Sequence, residues 1–171
     1  MKKLNLGSGN DYKDGWVNLD YNSLYKTDVN HDLVRFPYPF KKDEFDYIYC
    51  SHVLEHVGDL FRVLRELERI VKKNGVLHIR VPHFSNGNGY NDLSHKRTFG
   101  WFTFNQLVNG YYNQKFGFKI VSKRFNWLAE KHEVLNALLS WVFNLMPKQF
   151  YERFLCWILP VGEIELVLRK I

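Results

Sequence analysis

The first 82 residues alternate short apolar runs with turn-forming residues, which predicts β-strands joined by tight connections. One stretch differs, because its apolar residues from Leu60 to Val71 recur at helical spacing behind a suitable N-cap, Asp59. Gly75 is a natural stop for that helix. A strand, a helix and a strand in close succession form a βαβ unit, so the sheet should be mostly parallel. The expected strands are Lys3–Leu6, Trp16–Asp20, Thr27–Leu33, Phe45–Cys50 and Val76–Val81.

The chain after Phe99 is richer in aromatic residues and contains longer apolar runs. Two of these runs flank Pro147-Lys148, which predicts a helical hairpin placed before a last strand. Neither arm of the hairpin reaches the roughly 20 apolar residues that a membrane span needs. The expected elements are a helix over Asn105–Tyr112, a strand over Phe118–Phe125, hairpin arms over Val134–Met146 and Phe150–Leu159, and a strand over Glu163–Arg169.

The length of 171 residues suits one domain, 1–171, with residues 131–160 as the helical hairpin insertion. Packing of the hairpin against the core is the favoured interpretation. Two others stay open, namely peripheral contact of 134–159 with a membrane surface and a partner site, including an oligomer contact. No signal-peptide pattern occupies the first residues, and we expect a cytoplasmic protein.

Charge divides the chain into two unlike halves. Residues 1–95 carry 13 basic and 13 acidic residues, whereas residues 96–171 carry 11 and 5, so the net charge of +6 lies in the second half. Such a bias indicates either an anionic partner or a solvated basic face, and both interpretations stay open. Cys50 and Cys156 have no paired spacing, which argues against a disulfide framework and a cysteine zinc site.

Polar residues follow three successive predicted strands. Gly7-Ser8-Gly9 ends the first strand, and glycines there let a backbone approach a ligand closely. Asp20 ends the second strand, where a carboxylate can accept both ribose hydroxyls of a nucleoside. Asp32 lies near the end of the third and could accept the amino group of an adenine. We therefore expect a nucleoside-binding cleft at the carboxyl edge of the sheet.

Over about residues 3–82 the chain resembles small class I S-adenosylmethionine-dependent methyltransferases, of the kind called methyltransferase type 11. The similarity implies an α/β Rossmann-like sheet, mostly parallel with an antiparallel last strand. Two positions depart from the pattern, since Asn5 stands where the family often has an acidic residue and Asp11 where it has a third glycine. The segments that carry the resemblance are Leu4–Gly9, Asn18–Asp20, Asp32-Leu33, Phe45–Ile48, Val53–His56 and Lys73–Leu77, and more weakly Asp92–Phe99, which is similar to a motif of glycan-associated members.

This resemblance implies S-adenosylmethionine as the cofactor. The glycine bend would line its methionine and ribose end, the first carboxylate would hold the ribose diol, and the second carboxylate with its neighbour would bracket the adenine. Ser51 and His52, which follow the fourth strand, would lie near the methyl group and the acceptor. In chain order the implied cofactor residues are Gly7, Ser8, Gly9, Asp20, Asp32, Leu33, Ser51 and His52.

The expected acceptor is a small molecule or a glycan-type compound, with an anionic group allowed by the basic second half. If a hydroxyl is methylated, a base must take its proton. His83 follows the fifth strand, and His95 lies in the adjoining loop, so these are the candidate bases, with Asp92 as the orienting partner. A structural polar loop and a His83/Asp92/His95 metal site stay open as alternatives, although no metal is predicted. Phe99, Trp101, Phe102, Phe104, Tyr111 and Tyr112 form either an acceptor wall or core under the loop.

Two other functions and one other acceptor class are alternatives to methylation of a small molecule or glycan. A dinucleotide-dependent oxidoreductase would need glycine where Tyr12 stands and a helix directly after the glycine turn. A nucleic-acid acceptor is disfavoured, because Ser51-His52 stands where base-amino methyltransferases have an Asn/Asp-Pro-Pro-aromatic motif. The remaining alternative is a non-catalytic binding module or partner subunit that keeps the fold.

Overall fold

The computed structural model describes residues 1–110, 115–127 and 133–171, and a seven-stranded sheet organises them. The strands lie in the order β3-β2-β1-β4-β5-β7-β6. Strands β1 to β5 pair in parallel, whereas β7 runs antiparallel between β5 and β6. The predicted α/β class, with its antiparallel last strand, is therefore confirmed. The strands are β1 (Lys3–Leu6), β2 (Val17–Asp20), β3 (Val29–Asn30), β4 (Phe45–Ser51), β5 (Val71–Pro82), β6 (Phe118–Asn126) and β7 (Glu163–Lys170).

The helix between β4 and β5, α1 (Leu60–Ile70), begins where the sequence predicts. The Asp59 carboxylate caps it by accepting from the amide of Arg62 at 3.0 Å. The helix ends before Gly75, because β5 already starts at Val71 and the β4–β5 register shifts between Phe45 and Tyr47. Gly75 is needed for a close approach instead, since a Cβ there would lie 2.8 Å from the carbonyl oxygen of Lys72.

Residues 7–16, all of them described, connect β1 to β2 through turns without a helix, as their short length predicts. Side-chain amides hold this connection. The Asn5 amide nitrogen donates to the carbonyl oxygen of Asp11 at 2.6 Å and to Asn18 Oδ1 at 3.1 Å. Asn18 Oδ1 also accepts from the backbone amide of Lys13 at 2.9 Å. A carboxylate at residue 5 could not donate these hydrogen bonds, which is a structural reason for asparagine at this position.

Two helical elements after β5 differ from their predicted bounds. The expected helix from Asn105 ends at Asn109 in the structure, and Tyr111 and Tyr112 lie outside the described residues, as do hairpin residues 131 and 132. The second hairpin arm is shorter than expected, because Tyr151–Leu155 forms a π-helical turn closed by the Cys156 amide on the Tyr151 carbonyl at 2.9 Å. The other helices are α2 (Asn88–Asn91), α3 (Asn105–Asn109), α4 (Glu133–Leu145) and α5 (Lys148–Phe150).

The hydrophobic core lies against one face of the sheet, where the buried apolar residues of β4, β5 and β7 alternate with half-buried, mostly polar residues on the other face. The hairpin is only partly included in this core. Phe143 and Tyr151 are buried and their rings lie 5.4 Å apart. Most other large apolar side chains of the hairpin are exposed, with Trp141 at 61% and Trp157 at 66%. Within the described ranges, none of the helices is both long and apolar enough to span a bilayer.

Candidate cofactor and acceptor site

One cavity of about 740 Å³ opens at the carboxyl ends of β1 and β2, where parallel sheets commonly bind ligands. Its volume lies within the range of cofactor and small-molecule sites. The sequence-predicted residues that line it are Gly7, Gly9, Asp20, Asp32, Leu33 and His52, and the other lining residues are Leu19, Tyr21, Tyr25, Val34, Val53, His56, Val57, Leu93, Ser94 and Lys96.

The glycine bend places a bare backbone against the cavity. Both Gly7 and Gly9 have positive φ, at 66° and 47°, a region that disfavours residues with a Cβ. A Cβ on Gly7 would lie 2.4 Å from Val53 Cγ2, so the close packing beneath the bend also requires glycine. A Cβ on Gly9 would meet no atom within 4 Å, which leaves that position open to a ligand.

Ser8 lies between these glycines and is buried. Its amide donates to the carbonyl oxygen of Leu19 at 3.0 Å, which ties the bend to β2. Its hydroxyl has no hydrogen-bond partner among the described residues. Ser8 does not line the cavity, and its backbone hydrogen bond to Leu19 holds the bend against β2.

Asp20 is 7% exposed and is held by two backbone amides. Its Oδ2 accepts from the amide of Gly9 at 2.8 Å, and its Oδ1 accepts from the amide of Asn22 at 2.9 Å. Each carboxylate oxygen accepts more than one hydrogen bond, so both retain capacity for a ligand hydroxyl. The carboxylate is thus oriented before any ligand binds, directly beside the glycine bend.

Asp32 closes the same end of the cavity from the turn after β3. Its Oδ1 accepts from the amide of Val34 at 3.1 Å, and the backbone nearby is joined to β2 by the amide of His31 on the Asp20 carbonyl at 3.0 Å. Leu33 and the rings of Tyr21 and Tyr25 add apolar surface there. Two carboxylates beside apolar and aromatic groups suit a nucleoside, which combines polar hydroxyls with a flat base.

His52 lies on the opposite side of the cavity, in a left-handed backbone conformation with φ of 54°. Its Nε2 bonds Glu163 Oε2 at 3.0 Å, and its Nδ1 lies 3.4 Å from Glu55 Oε1. The hydrogen bond to Glu163, together with the Glu55 carboxylate, raises the pKa of His52 to about 9. His52 is therefore protonated at neutral pH and serves as a hydrogen-bond donor rather than as a base.

Glu163 was missed by sequence reasoning, because in the alternating strand β7 it resembles an ordinary polar residue. It is fully buried, and Arg80 donates to both of its oxygens at 2.9 Å. Although burial opposes ionisation, the bonds from His52, Asn126 and Arg80 prevail and lower the pKa of Glu163. Glu163 thus fixes the position of His52 from beneath the cavity.

Besides Ser8, two of the predicted polar residues near the strand ends do not line this cavity. Ser51 ends β4 and is paired in register with Arg80. His83 is buried, with Nδ1 at 2.8 Å from Ser85 Oγ and Nε2 at 3.1 Å from Glu152 Oε1. With both ring nitrogens engaged away from the cavity, His83 is not placed to contact an acceptor bound there.

Asp92 and His95 lie beside the cavity, in a loop that contacts His56. Ser94 Oγ donates to Asp92 Oδ1 at 2.6 Å and lies 2.8 Å from His56 Nδ1. His95 Nε2 is 3.8 Å from Asp92 Oδ2, and its ring meets that of His56 with centroids 4.6 Å apart. The loop therefore brings two histidines and an aspartate together without His83.

Glu55 completes this group from below and was also missed, although Glu55-His56 belongs to one of the segments that carry the resemblance. Its side chain is fully buried, and one ligand atom each from Glu55, His56 and His95 lie within 4.8 Å of one another. The backbone joins the two elements, since the amide of Lys96 donates to the Glu55 carbonyl at 2.8 Å. The signal that could have found Glu55 is a carboxylate adjoining a histidine just after a buried strand.

The family model described as a methyltransferase domain matches residues 8–79. That segment holds the strands and turns that form most of the cavity. A comparison with curated proteins gave no sequence match. The sequence pattern and the geometry thus agree over the first half of the chain.

Solved structures show the same fold over nearly the whole chain. An S-adenosylmethionine-dependent methyltransferase from Archaeoglobus fulgidus is 19% identical, with a TM-score of 0.66 over 99% of this chain and 86% of that one. A second from Mesorhizobium loti is 15% identical, with a TM-score of 0.62 over 99% and 90%. The [4+2]-cyclase SpnF is 14% identical, with a TM-score of 0.58 over 99% and 75%. At such identities the likeness establishes the fold and leaves the reaction to be argued from the site.

This chain therefore has the Rossmann-like fold of class I methyltransferases, and residues 8–79 carry the sequence pattern of a methyltransferase domain. The cofactor that this class implies is S-adenosylmethionine. The described residues fit it in two respects: an open glycine backbone at Gly9 and the oriented carboxylate of Asp20.

Proposed function

We propose that this protein is an S-adenosylmethionine-dependent methyltransferase that acts on a small-molecule or glycan-type acceptor. The observation that carries the proposal is the single cavity in which the glycine bend and both strand-end carboxylates meet the polar residues of the 92–96 loop. A nucleoside end and an acceptor end in one cavity are what transfer between two bound molecules requires, because proximity and orientation supply much of the catalysis.

At the nucleoside end, Asp20 would accept from the ribose hydroxyls, while Asp32 and Leu33 would contact the adenine. When bound, S-adenosylmethionine supplies a methyl group on a sulfonium that is already a good leaving group. The protein then has mainly to orient the two reactants and exclude water. The hydrogen bonds from the backbone amides of Gly9 and Asn22 contribute to this orientation, since they fix the Asp20 carboxylate before the cofactor binds.

The acceptor would lie at the end formed by His52, His56, Ser94 and Lys96. His52 and Lys96 are cationic donors there, which suits an acceptor with several oxygen atoms or an anionic group. His83 is turned away, so of the residues predicted as catalytic only His95 and Asp92 remain close to this end. A glycan-type acceptor is supported by this polar lining and by the similarity of Asp92–Phe99 to a motif of glycan-associated members.

Isothermal titration with S-adenosylmethionine and with its demethylated product tests the cofactor half of the proposal. Wild-type protein should bind both, and Asp20→Asn should weaken binding by about 10- to 100-fold, since charged hydrogen bonds contribute roughly 1.5 to 3 kcal/mol. Asp14→Asn is the matched control, because Asp14 is exposed and lies outside the cavity lining. If the folded protein binds neither compound, the proposal is wrong.

Transfer itself is tested with methyl-labelled S-adenosylmethionine and a panel of sugars, sugar phosphates and small hydroxylated compounds. Label in one acceptor, lost in Asp20→Asn and kept in Asp14→Asn, would support the enzyme. Cofactor binding without transfer to any of these would favour the non-catalytic binding module instead. The cyclase with this fold shows why the second measurement is needed, since the fold also carries another reaction.

A further inference from the structure

We infer that Glu55, His56 and His95 form a binding site for a divalent first-row metal ion beside the acceptor end of the cavity. One potential ligand atom from each residue lies within 4.8 Å of the others, and among the described residues this is the group with that property. The site assigns a role to a buried carboxylate and to two histidines that cofactor binding does not use.

Glu55 is the first reason. Its side chain is completely buried, and neither carboxylate oxygen has a hydrogen-bond partner among the described residues. The nearest cationic group is His52, whose Nδ1 is 3.4 Å from Glu55 Oε1 but already shares its charge with Glu163 through Nε2. A buried carboxylate with unfilled acceptor capacity is costly unless it is paired or coordinates a metal.

The hydrogen bonds of the histidines are the second reason. His95 Nδ1 lies 2.8 Å from the carbonyl oxygen of Gly89, which can only accept, so Nδ1 carries the proton and Nε2 of the neutral ring keeps its lone pair. The Ser94 hydroxyl donates its proton to Asp92 Oδ1, so its oxygen must accept from His56 Nδ1. The lone pair of the His56 ring is therefore on Nε2. Outer acceptors that fix the ring in this way are typical of metal-bound histidines.

The third reason is the complementarity of the group. Potential ligand atoms of two imidazoles and one carboxylate lie within 4.8 Å of one another, and the donor beside them is His52 Nδ1, at 3.4 Å from Glu55 Oε1, so a cation would satisfy the remaining acceptors. Two imidazoles and one carboxylate suit Mn²⁺, Fe²⁺, Co²⁺ or Zn²⁺ and leave coordination positions open. The ligand atoms would have to close to about 3.3 Å apart for metal–ligand bonds of roughly 2.0 to 2.1 Å, which side-chain rotation can achieve.

The position of the site indicates its use, and this step rests on the proposed function. His56, Ser94 and Lys96 line the cavity, so the open positions of the metal would face the acceptor. An acceptor with two neighbouring oxygen atoms, such as the vicinal hydroxyls of a sugar, could occupy two of them. The metal would then fix the acceptor oxygen, and His95 would act as a ligand instead of the base that the sequence suggests.

The test uses full-length protein freed of metal with a chelator and titrated with Co²⁺, whose visible absorption reports coordination. We expect saturation at one ion per chain, and displacement by Zn²⁺ and Mn²⁺. Glu55→Gln and His95→Asn should each weaken Co²⁺ binding by at least about tenfold. His31→Asn should bind like wild type, because His31 lies outside the group, with Nε2 on the carbonyl of Arg35 at 2.9 Å.

Two results would overturn the site: absorption that does not saturate, or the same affinity in Glu55→Gln and His95→Asn as in wild type. A cobalt–thiolate band would also overturn it, because it would place the ion on Cys50 or Cys156. His95→Asn covers the case in which Glu55→Gln fails to fold. Titration of the metal-free wild type with the demethylated cofactor separates this inference from the proposed function, which can stand when the metal site fails.

Discussion

The two halves of this molecule contrast in what they present to the solvent. Every residue that lines the 740 Å³ cavity, except Lys96, lies in the charge-balanced half of the chain, residues 1–95. The basic half contributes Lys96, antiparallel strands, the buried Glu163 that contacts His52, and a hairpin with apolar side chains on its surface. The first half thus forms nearly all of the cavity, whereas the second half supports it through Glu163 and exposes an apolar surface.

The contrast shows where the constraints on this sequence lie. In the first half, backbone positions such as Gly7 and buried carboxylates such as Asp20 are tied to neighbouring strands, so a change at one is transmitted to the cavity. On the hairpin, residues such as Trp141 and Trp157 project outward and contribute little to the core. Substitutions in the two halves should therefore separate cofactor binding from surface recognition.

The largest effect is expected for Gly7→Ala. The new Cβ would lie 2.4 Å from Val53 Cγ2 at a φ of 66°, so overpacking and backbone strain add. We expect about 2 to 4 kcal/mol of destabilisation together with weaker cofactor binding. Chemical denaturation and titration with the demethylated cofactor measure the two effects.

Gly9→Ala and a double variant serve as controls for that prediction. Gly9→Ala meets no atom within 4 Å and should lose only about 1 to 2 kcal/mol from its positive φ. Gly7→Ala combined with Val53→Ala should recover part of the loss, because the clash is removed. Equal stability of Gly7→Ala and wild type would show that the bend is not packed in this way.

An intermediate effect is expected from the contact between the halves at His52. Its pKa is raised from 6.5 to about 9, so protonated His52 stabilises the fold fully below pH 6.5, and this contribution is lost as the pH rises through 9. The difference in unfolding free energy between wild type and His52→Gln should therefore shrink between pH 6.5 and 9. NMR titration of the imidazole checks the pKa directly. A midpoint near 6.5 would contradict the contact with Glu163.

The smallest effect on stability is expected on the hairpin. Trp141→Gln with Trp157→Gln should change the unfolding free energy by no more than about 0.5 kcal/mol, because both rings are largely exposed. The same change should reduce co-sedimentation with anionic lipid vesicles, if the 134–159 surface contacts a membrane. Trp101→Gln is the contrasting control. The Trp101 ring packs against the buried Phe125 ring, with centroids 4.7 Å apart, so this substitution should destabilise the protein. Unchanged sedimentation of the double variant would remove the membrane interpretation.

Local patterns were sufficient to predict much of the first half. Glycine turns, a capped amphipathic helix and apolar runs act over a few residues, so β1, β2, β4 and the start of α1 follow from the sequence to within a residue or two. Prediction was weaker where the pairing of distant strands sets a boundary. The structure ends α1 at Ile70, before the predicted stop at Gly75, because β5 begins at Val71 to pair with Phe45, which no local signal reports.

The sequence by itself determined the fold class, and it predicted that Gly7, Gly9, Asp20, Asp32 and Leu33 would meet at one edge of the sheet, where they line one cavity. It did so because parallel strands deliver their carboxyl ends to a common edge. Only the tertiary structure decided which polar residues meet at the other end. His83 turned inward to Glu152, while Glu55 and His56 met His95 across a separation of some forty residues, and Glu163 arrived beneath His52 from the last strand. Contacts of that kind depend on side-chain direction and loop closure between distant segments, which spacing along the chain does not encode.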